Sequence, residues 1–103
     1  MKFKRLIKEC FWDYHFTNQD IEKLLHSNDF HDKQFLYEKI LVNSTDLLGD
    51  MQLFDRKDLK KLTETYKVPS FNHEYIRKRH NIVQYFFFDE PLQIDELKWT
   101  EMH

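Results

Sequence analysis

His73-Glu74-Tyr75-Ile76-Arg77-Lys78-Arg79-His80-Asn81-Ile82-Val83-Gln84-Tyr85-Phe86-Phe87-Phe88 is the stretch on which the fold turns. Placed at 100° per residue, Tyr75, Ile76, Ile82, Val83 and Phe86 gather on one face, and His73, Arg77, His80, Asn81 and Gln84 on the opposite one. That sorting predicts an amphipathic helix. Phe88 would then project from the polar face, so the helix is expected to stop near Gln84–Phe87, or Gln84–Phe88 to be a strand, which its aromatic content favours. The expected class is mainly α: a compact single-domain bundle of short helices, with a small strand or hairpin near residues 84–94 left open.

Working outward, the same periodicity recurs in shorter pieces. Phe3, Leu6, Ile7 and Cys10 fall at i, i+3, i+4 and i+7, the spacing of one helical face. Phe11-Trp12-Asp13-Tyr14-His15-Phe16 concentrates four aromatics and is expected to anchor the core. Thr17, followed by Asp20 and then Ile21, Leu24 and Leu25, reads as an N-cap and a short amphipathic helix ending near His26-Ser27-Asn28-Asp29. A second helix is expected over Asp32–Val42, with Phe35, Leu36 and Ile40 facing inward. Ser44-Thr45 can cap a further helix, bent at Gly49 and continuing to Phe54. Asp55 can cap the next, where Leu59, Leu62 and Tyr66 share a face, and Pro69 stops it. Ser70 is the candidate cap of the last helix. Asp89-Glu90-Pro91 reads as a turn, after which Leu92–Trp99 has enough apolar side chains to dock back. The domain is thus expected over residues 1–99, with 100–103 as a short tail.

Composition bounds the function. The chain has 103 residues, of which 41% are hydrophobic and 17% aromatic, and this aromatic load excludes a disordered chain. A single glycine excludes phosphate-cradling loops of the dinucleotide or P-loop kind. Cys10 is the only cysteine, so neither an intramolecular disulfide nor a cysteine zinc site can form, and a reducing cytoplasm is the expected compartment. No signal peptide or membrane span is read from the sequence. His26 and His31 match no metal-ligand spacing and read as loop chemistry, and Cys10 reads as a small buried hydrophobe. No cofactor is expected.

Charge is unevenly spread around a net −2. The segment 89–103 sets Asp89, Glu90, Asp95, Glu96 and Glu101 against Lys98 alone. Arg56-Lys57-Asp58-Leu59-Lys60-Lys61 and Arg77-Lys78-Arg79-His80 are the basic clusters. Residues 59–84 have the rhythm of a helix-turn-helix, in which Lys57, Lys60, Lys61, His73, Arg77, His80 and Asn81 would meet phosphates and base edges. His73, Arg77 and His80 could also serve RNA cleavage as acid, base and oxyanion stabiliser. Arg79 lies inside the apolar stripe with Tyr75, Ile82 and Phe86, where it must snorkel or meet a carboxylate, in this chain or in a partner.

An ordered series of residues also carries a resemblance: Phe11-Trp12-Asp13-Tyr14, Lys39-Ile40-Leu41 with Asn43-Ser44, Arg77, Arg79, Ile82 and Phe86-Phe87-Phe88, then Pro91-Leu92, Ile94 and Glu96-Leu97-Lys98-Trp99. Over roughly residues 11–99 the chain resembles small bacterial proteins encoded beside a nucleotidyltransferase toxin of the AbiEii type, which are presumed antitoxins. Antitoxins of that class carry a winged-helix domain joined to a larger part, and no wing is recognisable here. The resemblance therefore implies a protein partner bound by direct contact, and no catalytic residue is carried over. Arg77, Arg79, Asp95, Glu96 and Trp99 are the candidate partner contacts, since aromatics and arginine dominate interface energetics. A small DNA-binding regulator is the alternative, and an RNA-processing enzyme the third reading.

Overall fold

Six helices make up the described part of the chain, residues 3–92 of a computed structural model. They are α1 (Lys4–Cys10), α2 (Asn18–Leu25), α3 (Phe30–Asn43), α4 (Leu47–Met51), α5 (Arg56–Thr65) and α6 (His73–Phe88). The mainly α class is therefore observed, and no strand occurs among the described residues. No described helix is long and apolar enough to cross a membrane. The expected docking of 92–99 and the tail 100–103 fall, beyond Leu92, outside the described residues.

Local chemistry sets the helix ends. At α2 a reciprocal capping box forms: the Thr17 N–H donates to Asp20 Oδ2 at 2.7 Å, and Thr17 Oγ1 accepts the Asp20 N–H. α3 begins two residues earlier than periodicity suggests, because Asp29 accepts the His31 N–H at 3.0 Å. α4 is capped by Asp46, which accepts the Gly49 N–H, and not by Ser44 or Thr45. α6 is preceded by Asn72, not Ser70, with φ at +47°. It is closed by Asp89 at φ +55°, whose N–H donates to the Tyr85 carbonyl, while the Glu90 N–H reaches that of Gln84. Asn and Asp are the non-glycine residues that best tolerate this left-handed region.

α3 is the central element, packed against α1, α2, α4, α5 and α6. Leu36, Tyr37, Ile40 and Leu41 are fully buried in it, which is why its apolar residues do not keep to one stripe. Around it close Leu6, Phe11, Ile21, Met51, Leu59, Leu62, Ile76 and Val83. The aromatic cluster at 11–16 anchors the core only in part. Phe11 is buried and stacks on Phe16 with ring centroids 4.8 Å apart, whereas Trp12 is 75% exposed.

In α6 two expectations are corrected. Residues 84–88 are helical throughout, with Phe87 packed against the core and Phe88 beneath the cations of α5. The buried side is Ile76, His80, Val83 and Phe87, so the helix is rotated from the periodicity reading; Tyr75 and Phe86 stand half exposed instead. The rotation follows from partners inside the bundle that satisfy His80 and Asn81, making burial of these polar groups tolerable.

Candidate partner-binding surface

The expected partner contacts separate in the structure. Arg77 forms a fork on Glu74, with Nη2 to Oε2 at 3.0 Å and Nε to Oε1 at 3.2 Å. Arg79 points inward along the bundle, donating to the backbone carbonyls of Leu41, Ile40 and Ser44. The Ile40 carbonyl also accepts the Ser44 N–H at 2.9 Å, whereas those of Leu41 and Ser44 lie past the last intrahelical bond, so Arg79 acts as a side-chain cap supplied by another helix. Asp95, Glu96 and Trp99 lie outside the described residues.

Arg79 belongs to a larger polar junction. Ser44 Oγ donates to Asp50 Oδ2, and Arg5 Nη2 donates to Asp50 Oδ1, both at 2.5 Å. Asp50 is only 5% exposed, and this double hydrogen bonding satisfies a carboxylate that burial would otherwise penalise. Glu9 continues the junction by accepting the Thr45 N–H and hydroxyl, which hold its carboxyl below the ordinary range. Cys10 sits behind it, 1% exposed, and burial pushes its thiol up to about 12.

The catalytic and base-reading faces do not assemble. His73 is exposed at the first turn of α6, 3.6 Å from the Glu74 carboxylate. His80 is buried, and its Nδ1 meets the Tyr37 hydroxyl at 2.8 Å while the Thr63 backbone lies against the same ring. Burial lowers the His80 pKa from the ordinary imidazole value and raises that of Tyr37. Asn81 is also buried and donates to the Pro91 carbonyl at 3.1 Å. Of the polar face read from periodicity, His73 points to solvent and Arg77 and Gln84 are half-buried. Among the described residues no three His, Cys, Asp or Glu side chains converge in a way that could hold a metal ion.

What the surface does present is aromatic. Tyr75, Ile82 and Phe86 recur at i, i+7 and i+11 along the outer side of α6, with Arg79 between them turning its guanidinium back onto the end of α3. Tyr75 is 50% and Phe86 53% exposed, Ile82 half-buried between them, and Arg79 passes 5.3 Å from the Tyr75 ring centroid. Phe71 and Tyr85 add exposed rings at the two ends of the helix. The other flank of α6 ends in Phe88, whose ring lies 5.0 Å from both Arg56 and Lys60. Lys57, Lys60 and Lys61 are exposed on α5 as expected. Phe88 was absent from the candidate residues, although its projection from the polar face was the sequence signal that could have pointed to it.

The chain matches no protein-family model, no curated protein and no solved structure.

Proposed function

We propose that this chain is a protein-interaction module that acts by direct contact, with the outer face of α6 as its docking surface. The observation that carries this reading is the pairing of Tyr75 and Phe86, both half exposed on one face of a helix whose backbone is fixed by the core. A rigid aromatic pair loses little conformational freedom on binding and buries much apolar area, the property that makes such side chains interface anchors.

The partner class implied by the resemblance, a nucleotidyltransferase-type toxin, is the first to test, and the chain would then be its antitoxin. Co-expression of the two proteins is expected to give a stoichiometric complex and to relieve growth arrest. A toxin that purifies alone and remains toxic removes that partner class. A complex that survives Tyr75→Ser/Phe86→Ser unweakened removes the α6 surface.

A further inference from the structure

We propose a second site, on the opposite flank of α6, that binds an acidic peptide segment of a partner protein: two or three Asp or Glu side chains beside one apolar residue. Arg56, Lys57, Lys60 and Lys61 lie within a single stretch of α5, all exposed, and none is in an ion pair among the described residues. Their neighbour Lys33 shows the contrast, since it is neutralised by Asp58 at 2.8 Å. Four cations outside any ion pair, with the intervening Asp58 taken by Lys33, repel one another, and an anion brought among them relieves that repulsion.

Three of the four are already held in place. Arg56 donates to the Phe87 carbonyl at 2.9 Å and stands over the Phe88 ring, which Lys60 also covers. Lys61 Nζ lies 4.4 Å from the Phe30 ring centroid. Cations oriented in this way against aromatic faces lose less freedom when a carboxylate arrives. Two clefts adjoin along this strip and share Lys57 and Lys60: one of about 550 Å³ against Phe88, the other of about 500 Å³ against Phe30. Asp58 and Glu64 also line the cleft against Phe30, whereas the one against Phe88 sets an apolar ring beside Arg56, Lys57 and Lys60 with no carboxylate, as a segment mixing carboxylates with an apolar side chain requires.

The dimensions favour a short peptide over nucleic acid. From Arg56 to Lys61 the helix rises only about 7–8 Å, and Asp55 and Glu64 bound the strip on the same helix. A phosphate backbone running past either end would meet carboxylates, on a chain whose net charge is −2.

The test is fluorescence anisotropy with a labelled Glu-Asp-Leu-Glu-Asp-Phe peptide and the full chain, and a lysine-substituted peptide as control. Saturable binding of the acidic peptide alone is expected, weakened at least tenfold by Lys57→Glu/Lys60→Glu and by raising salt from 50 to 300 mM. Because the chain's own Asp95, Glu96 and Glu101 could compete, Asp95→Asn/Glu96→Gln/Glu101→Gln is titrated in parallel, and tighter binding by this variant equally supports the site. Failure of both proteins to bind, or binding indifferent to the Lys57/Lys60 reversal, overturns it. So does tighter, lysine-dependent binding of a single-stranded oligonucleotide, which would assign the strip to nucleic acid. Tyr75→Ser/Phe86→Ser is expected to leave peptide affinity unchanged, so this site and the α6 face are judged separately.

Discussion

The Tyr37 hydroxyl and His80 Nδ1 meet 2.8 Å apart in the core, joining the central helix to the last one. With the Thr63 backbone accepting the ring's own proton, Nδ1 accepts the hydroxyl proton and the imidazole is neutral. Burial holds its pKa below the ordinary 6.5, so as pH falls the unfolded chain takes up this proton before the folded one. The stability His80 contributes is therefore complete above about pH 6.5 and is lost as pH falls towards the lower folded value. Urea midpoints at pH 7.5 and 5.0 should show wild-type protein weakening, and His80→Gln weakening less. A wild-type midpoint that does not move between these pH values contradicts the assignment.

Arg79 serves the fold before it serves any interface. Arg79→Met would leave the carbonyls of Leu41 and Ser44 without their charged donor, at a cost of about 2–3 kcal/mol. Arg79→Lys restores only part, since one ammonium cannot reproduce the planar fork. Chemical denaturation of the three proteins checks this order. An unchanged midpoint in Arg79→Met would mean that the cap is dispensable and free Arg79 for the partner-facing role.

Gly49 and Asp46 should be energetically coupled. A Cβ at position 49 would lie 2.2 Å from Asp46 Oδ2, the carboxylate whose Oδ1 caps the Gly49 N–H. Gly49→Ala therefore gains helix propensity but displaces the cap, two effects of about 1 kcal/mol each that nearly cancel. With the cap already removed by Asp46→Ala, the same substitution should stabilise by about 1 kcal/mol. A double-mutant cycle measures the difference, and additive effects would disprove the coupling.

Cys10 is expected to be inert in the native protein, because its thiol is buried and held at about 12, far above the range where thiolate forms. A disulfide reagent at pH 8 should label it only in denaturant. Rapid labelling of folded protein would show that α1 opens readily from the core.

The parts of this fold written in local chemistry were legible in the sequence. Thr17 with Asp20 and the periodic Leu59–Leu62 pair mark their elements because caps and spacing act within one turn, whereas α5 ends at Thr65, with Tyr66 already extended, before Pro69 is reached. The rotation of α6 was not legible. A helical wheel ranks His80 and Asn81 as polar and turns them outward, and only the tertiary partners Tyr37, Thr63 and Pro91 make burying them favourable. The same blindness affected Arg79: its place in an apolar stripe suggests snorkelling or a carboxylate, whereas it meets backbone carbonyls at the end of α3, distant in sequence. The charge run at 56–61 was visible, whereas Phe88 and Phe30 beneath it depend on how α5 packs.

The central claim, contact through the outer face of α6, is tested most directly by affinity capture with tagged full-length protein, comparing wild type with Tyr75→Ser/Phe86→Ser after circular dichroism has shown both to be folded. The account predicts a stoichiometric protein partner on the wild-type chain and a loss of about 30-fold or more in its affinity for the variant, equivalent to about 2 kcal/mol. Equal retention by both proteins, or a wild-type chain that stays alone, would contradict it.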